Sequence, residues 1–246
     1  KLLTILPFEK KLFEEKQVAT TFVGHPITNK IKPKITFDEF NNKYITDDKK
    51  PILLILPGSR KPEIDKLLNI YLNAVENCNF YDNFSLVLPI KKQLASYVRN
   101  IINAKKISFD VTILDDEEAK YESFVVADYA IATSGTVALE LSYFNIAYLV
   151  AYKFNFFSYA IIKSLAQTKF ANLINIINNQ GDIPELLQTQ CTADKIGKKL
   201  EKIIVDDEYK KSILHASEVA IAQLNCKENP SSLAAKEVIH MLKNGK

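Results

Sequence analysis

A serine, a glycine and a threonine stand in line at Ser134-Gly135-Thr136, and a carboxylate, Glu140, follows soon after. The stretch reads "ATSGTVALE" over residues 132–140. It follows the apolar run "VVADYAI" and precedes helix-like residues ending near "YFNIAY". Glycine lets a backbone approach a ligand closely. Where a strand gives way to a helix here, the N–H groups of Ser134, Gly135, Thr136 and Val137 point out of the helix start and, with the helix dipole, make a phosphate site. The dipole alone is worth about 0.3–2 kcal/mol to such a contact. A serine or threonine ahead of a helix also serves as an ordinary N-cap, so both readings stand. Glu140 sits in "VALELSY", an otherwise apolar run, and a buried carboxylate needs a partner. One turn or so beyond a phosphate it could accept hydrogen bonds from ribose hydroxyls; the alternative is a solvent-facing glutamate.

A second polar turn, "LPGSRKPEI" (56–64), ends the most apolar run of the chain. Beside Ser59, the Arg60 guanidinium could hold a diphosphate through paired hydrogen bonds, or cap the helix that follows. Arginine is rare here among many lysines, which favours a geometric role. His25, in "FVGHP", could cap a turn or line a cleft, and Lys153, after "LVAY", could add positive charge at another strand end.

These residues need elements to position them. "PILLILPG" (51–58) reads as a continuous apolar strand, followed by a helix whose apolar face carries Ile64, Leu67, Leu68, Tyr71, Leu72 and Val75. "FSLVLPI" (84–90) is the next strand, and "KKQLASYVRNIINA" the next helix. "ISFDVTIL" (107–114) alternates Ile107, Phe109, Val111 and Ile113, which suits a half-exposed edge strand. "DYAIAT" is a strand, "TVALELSYF" a helix and "IAYLVAYK" a strand again. Alternating units with continuous apolar strands predict an α/β fold, a Rossmann-like parallel sheet with helices on both faces. Ligands bind outside the carboxyl ends of such strands, where both polar turns fall. Residues 2–26 form a separate strand–helix–strand piece and the polar stretch after them a connector with one short helix. After Asp206 the pattern is helix only, broken at Asn229-Pro230. Leu214, Val219, Ile221 and Leu224, with Val238, Ile239 and Leu242, form apolar stripes that require a covering surface.

Composition bounds the function. The chain has 246 residues, 47% hydrophobic and 25% charged, enough to bury a sizeable core. Its net charge of +3 gives no argument for nucleic acid and does not oppose an anionic ligand. Three separated cysteines, Cys78, Cys191 and Cys226, form no CxxC pair and suggest a reducing compartment. Three histidines argue against a metal cluster. No apolar run reaches the roughly 18 residues that span a bilayer, and no signal peptide is visible. The chain begins at Lys1 and enters the strand-like "LLTILP" at once, so further residues upstream are expected.

Taken together, "ILPFEK", "FVGHP", "LLILPGSRKPEI", "ATSGTVALE", "VAYK", "NLINII" and "IPELLQ" resemble the lipid-A-disaccharide synthases in order and approximate spacing, over residues 5 to 188. Each phrase is weak alone; the combination is specific. The resemblance implies one half of a GT-B fold, two facing Rossmann-like domains. Residues 1–45 would be a remnant of the N-terminal domain with its connector. Residues 46–205 would be the UDP-sugar-binding domain, and residues 206–246 C-terminal helices reaching back toward the N-terminal domain. It also implies transfer of diacylglucosamine from UDP-2,3-diacylglucosamine to 2,3-diacylglucosamine 1-phosphate with release of UDP. That transfer inverts the anomeric centre and uses no metal or other cofactor. Its setting is the cytoplasmic face of the inner membrane, to which the enzyme is peripheral; a homo-oligomer is left open. Carried over by motif, Arg60 becomes a diphosphate or active-site cation, and Ser134, Gly135 and Thr136 with Ser59 and Lys153 the nucleotide site. Glu140 becomes a ribose partner, and Asn175 and Gln188 active-site amides. The family's glycine-rich acidic motif and proposed aspartate base have no counterpart in this sequence, and the usual "SLPN" is "NLIN" here. Two alternatives remain: another UDP-sugar GT-B enzyme, an epimerase or a glucosaminyltransferase, and a non-catalytic nucleotide-binding remnant.

Overall fold

The computed structural model describes residues 1–45, 49–78, 81–153 and 169–243; the boundary expected at residue 46 and the last three residues lie outside them. The first piece is strand β1 (Leu2–Thr4), helix α1 (Pro7–Glu14) and strand β2 (Thr20–Phe22). β1 and β2 pair in parallel as a two-stranded sheet of their own. A 3-10 turn, Pro26–Asn29, and helix α2 (Phe37–Tyr44) carry the connector. Helix α2 starts where Thr36 and Glu39 cap each other's backbone N–H groups.

Five consecutive apolar residues then make strand β3 (Ile52–Leu56), and all five are buried, as a strand covered on both faces must be. Helix α3 (Lys61–Glu76) buries the face that its spacing predicts, Ile64, Leu67, Leu68, Tyr71, Leu72 and Val75. The pattern repeats through β4 (Ser85–Pro89), α4 (Lys92–Lys105), β5 (Val111–Leu114), α5 (Glu117–Val126), β6 (Tyr129–Ala132), α6 (Thr136–Tyr143) and β7 (Ala147–Tyr152). Helix α7 (Leu173–Asn178), β8 (Glu185–Leu187), α8 (Ala193–Val205), α9 (Asp207–Leu224) and α10 (Pro230–Lys243) complete it. The second sheet has six strands in the order β5-β4-β3-β6-β7-β8, every neighbouring pair parallel. Right-handed crossovers put α3 and α4 on one face and α5 and α6 on the other. α3 packs against α4 and α8, and α6 against α7 and α9.

The differences from the sequence pattern have physical reasons. The edge strand β5 is indeed half-buried, but it begins at Val111, where pairing with Leu86 of β4 begins. Val125 and Val126, the first residues of "VVADYAI", end helix α5 rather than join β6, and Asp128 turns the chain, its carboxylate accepting the Ile52 N–H at 3.0 Å. Helix α9 buries Ile213, Ala216, Ser217, Ala220 and Leu224. Of the stripe expected there, only Leu224 is fully covered, while Val219 is exposed. On α10 the expected stripe does face solvent, at Val238, Ile239 and Leu242, the last 77% exposed. The C-terminal chain returns to the first piece: Leu224 carbonyl accepts the His25 N–H at 3.0 Å, the Cys226 thiol lies 3.1 Å from the Val23 carbonyl, and Lys1 pairs with Glu237.

Candidate functional site

The six parallel strands end along one edge. From β3 the chain steps to β4 and β5 on one side, then crosses back to β6 on the other side of β3. That reversal opens a crevice beyond the carboxyl ends of β3 and β6, the place where open α/β sheets bind ligands. A groove of about 680 Å³ lies there, lined from the ends of β3, β4, β5 and β6 and the first turns of the helices after them.

Those first turns are the main donors. The first N–H groups of a helix lack intrahelical partners. Five other helices satisfy them with side chains: Asp116 caps α5, and Thr36, Asn172, Thr192 and Asp206 cap α2, α7, α8 and α9. The three helices that open on the groove from β3, β4 and β6 start at Arg60, Lys91 and Gly135, and none has a side-chain cap; on α3 the second residue is Pro62, which has no N–H, so α4 and α6 are the richer donors. Gly135 is itself the N-cap of α6, at φ +136° and ψ −157°, a conformation open essentially to glycine alone. The requirement is purely one of backbone shape, since nothing lies within 4 Å of where its Cβ would stand. Ser134 does not cap: its hydroxyl donates to the Ala171 carbonyl at 2.8 Å, anchoring the turn to the segment before α7. Thr136 is the first, exposed residue of α6.

Charge is arranged around these donors. Arg60 is 78% exposed, with its Nη1 3.6 Å from Glu63 Oε1. The other oxygen of Glu63 accepts the Ser59 N–H at 2.9 Å. Gly58, at φ +113°, makes room for this, because a Cβ there would stand 2.4 Å from the Glu63 carboxylate. Lys91 and Lys92 line the groove at the end of β4 and form no ion pair among the described residues. Asp115 pairs with Arg99 at 3.5 Å on the rim. Glu140 is 17% exposed and does have the partners its apolar helix demands: Lys120 Nζ at 2.8 Å and the Tyr121 hydroxyl at 2.6 Å. Burial and the Glu140 hydrogen bond push the Tyr121 phenol well above its ordinary value.

The structure thus brings Ser59, Arg60, Ser134, Gly135, Thr136 and Glu140 into one groove. It does not bring Asn175, Gln188 or Lys153 to that lining. Asn175, expected as an active-site amide, is buried; its NH2 donates to the Ile183 carbonyl (2.9 Å) and Glu185 (2.7 Å), and its carbonyl accepts the Ile183 N–H (2.9 Å). Gln188 follows β8 at φ +52°, and its carbonyl accepts the Cys191 N–H at 3.1 Å. Lys153 follows β7 near Cys191, whose thiol burial pushes up to about 11 against the opposing pull of that lysine. His25 caps the turn that follows it: its Nδ1 accepts the Ile27 N–H at 3.1 Å, and burial lowers its pKa. The sequence pattern left out Glu63, Lys91, Lys120 and Tyr121. Only the acid following a Gly-Ser turn and the lysine pair ending "LPIKK" were visible as signals.

Residues 1–239 match the protein family described as lipid-A-disaccharide synthetase. The lipid-A-disaccharide synthase of Hydrogenovibrio crunogenus is 31% identical over 246 residues, covering 98% of this chain and 64% of its own length. The chain therefore spans less than two thirds of the curated relatives it matches. Among solved structures, UDP-GlcNAc 2-epimerase from Neisseria meningitidis bound to UDP-GlcNAc superposes with a TM-score of 0.60 at 15% identity, covering 90% of this chain and 60% of that one. WaaG, a glycosyltransferase involved in lipopolysaccharide biosynthesis, gives a TM-score of 0.56 at 12% identity over 97% of this chain and 62% of its own. At these identities the likeness is one of fold, and the fold is GT-B-like.

Proposed function

This chain belongs to the lipid-A-disaccharide synthetase family, and we propose that it is the UDP-holding part of an enzyme that moves diacylglucosamine from UDP-2,3-diacylglucosamine to 2,3-diacylglucosamine 1-phosphate. The observation that carries the reading is the groove at the sheet's crossing point, where α4 and α6 leave their first turns uncapped beside Arg60 and Glu140. Such donors suit a diphosphate. The Gly135–Thr136 backbone would cradle it, Arg60 would bind it from the end of the neighbouring strand, and Glu140 would accept hydrogen bonds from the ribose. The epimerase similar in fold is described as bound to UDP-GlcNAc. The family match over residues 1–239 favours a lipid A transferase over an epimerase or a remnant.

Transfer with inversion is a single displacement at the anomeric carbon. The acceptor hydroxyl attacks while the bond to the β-phosphate oxygen breaks, and UDP carries off the bonding pair. Negative charge develops on that leaving oxygen, and donors already aimed at it lower the barrier. The α6 start and Arg60 would supply this. The acceptor's proton needs a base within hydrogen-bond reach. In the groove, Glu63 and Glu140 are held by the partners described above, Asp115 faces Arg99, Asp116 caps α5, and Glu117 stands in the first turn of α5. Of the acids in residues 1–45, Glu9 and Glu39 are committed to capping their own helices. We assign the base to a facing N-terminal domain, as the length of the relatives supports. Lys153 and Gln188, on the same sheet edge, are assigned supporting roles outside this groove. The complete enzyme is read as peripheral at the cytoplasmic face of the inner membrane; no described helix is long and apolar enough to cross one.

The test is turnover against binding. The 246-residue chain is expected to bind UDP and to form no disaccharide from the two lipid substrates, and a relative's N-terminal domain, fused ahead of it, is expected to restore transfer. Robust turnover by this chain alone would refute the assignment of the base.

A further inference from the structure

Glu140 stands on a helix whose neighbouring residues Ala138, Leu139 and Leu141 are buried, yet its carboxylate reaches the groove with one donor fixed on each oxygen. Both donors come from consecutive residues of α5, 19 and 20 positions earlier in the chain. The Tyr121 ring is itself locked. It stacks on Phe144 (centroids 6.0 Å, interplanar 16°), meets Phe124 edge-on at 5.9 Å, and carries Lys30 Nζ 3.5 Å over its face. Lys30 is pinned in turn, since its carbonyl accepts the Tyr143 hydroxyl at 2.6 Å. Lys120 Nζ lies 4.6 Å from the Tyr121 centroid while it bonds Glu140. Tyr121 does not line the groove; its hydroxyl is spent on Glu140. Each carboxylate oxygen accepts about two hydrogen bonds, so one site per oxygen is left for a ligand.

We propose that Lys120 and Tyr121 are positioning residues that clamp the Glu140 carboxylate in the one orientation that tells ribose from deoxyribose, and that Lys30 braces the clamp from the connector. The proposal rests on the reading of Glu140 as the ribose partner. An untethered glutamate spreads over several rotamers and must be ordered by the nucleotide, whereas a clamped one meets it preorganised. The clamp therefore acts on hydroxyl recognition and not on the diphosphate.

UDP and 2′-deoxy-UDP titrated by calorimetry into the native chain and into Lys120→Met, Tyr121→Phe, Lys120→Arg and Glu140→Ala separate the possibilities, with thermal melting as the check on folding. The affinity ratio of UDP to 2′-deoxy-UDP is expected to fall about three- to tenfold in Lys120→Met and in Tyr121→Phe. Affinity for 2′-deoxy-UDP is expected to change less than about twofold, and Lys120→Arg to recover most of the ratio. Tyr121→Phe keeps the packed ring and loses only the hydroxyl, so it holds the test open should Lys120→Met fail to fold. A ratio unchanged in both variants but lost in Glu140→Ala overturns the clamp and leaves Glu140 as the ribose partner. Equal losses for both nucleotides also overturn it, as they mark Lys120 as a plain charge contact. A ratio that survives Glu140→Ala overturns the ribose reading and the clamp together.

Discussion

Replacing Arg60 by alanine separates the site's chemistry from its scaffold. Arg60 is the N-cap of α3 but makes no side-chain cap, is 78% exposed, and stands 3.6 Å from Glu63. That separation exceeds the roughly 2.7–2.9 Å of a charge-assisted hydrogen bond. An exposed pair of this kind is worth about 0–1 kcal/mol, so the melting temperature should move by at most about 2–4 °C in a chain of this size. Against a diphosphate the same guanidinium loses a hydrogen bond to a charged group, about 1.5–3 kcal/mol. That corresponds to a Kd raised about 10- to 150-fold. Arg60→Lys keeps the charge without the planar fork and should fall between. Calorimetric titration of UDP at low and high salt reads both, and the loss should shrink as salt screens an exposed site. Equal affinity in Arg60→Ala and the native chain would remove Arg60 from the site. A collapse in melting temperature would show instead that the residue holds the turn.

Gly135→Ala forces a side chain onto the glycine-only conformation at the start of α6, and a cost of about 1–3 kcal/mol should appear as a lower melting temperature together with weaker UDP binding; an unchanged protein would mean that the turn is free to reshape. The exposed stripe Val238, Ile239 and Leu242 should make the chain self-associate with rising concentration in light scattering, and replacing the three with serine should abolish this; a native monomer at every concentration contradicts the need for a cover. His25 is held neutral by burial, with its Nδ1 accepting the Ile27 N–H. Because its folded pKa lies below the unfolded value, the stability it contributes is complete above about pH 6.5 and is lost as pH falls through the folded value. His25→Asn, which caps without titrating there, should flatten that acid limb of the melting profile, and an unaltered limb would assign it to other groups.

Much of this was legible because local pattern and global fold agree. Ile52–Leu56 has no polar residue to place outward, so it is read as a central strand, and it is one. The glycine of "SGT" stands where the structure needs positive φ. What escaped lies in contacts between distant elements. Helix α5 shows little amphipathic period, because its Glu122 is buried and held there by Lys43 and Tyr44 of α2. Without α5 in place, the partners of Glu140 could be required but not named. Asn175 could be matched to a motif, but its bonds to Glu185 and Ile183 appear only once β8 is laid beside β7, and β8 is a three-residue, half-buried strand. Val219 fell on the wrong side of α9 because that helix buries small residues, Ala216, Ser217 and Ala220, which an apolar stripe does not flag.

The groove between the ends of β3 and β6 is proposed to hold a uridine diphosphate. A crystal structure of the chain with UDP bound tests it most directly. The diphosphate is expected within hydrogen-bond distance of the Gly135 and Thr136 N–H groups, with the Arg60 guanidinium turned from Glu63 onto it and the ribose on the Glu140 carboxylate. UDP bound elsewhere, or in this groove with its phosphates on Lys91 and Lys92 and nothing on Gly135 or Arg60, would contradict it.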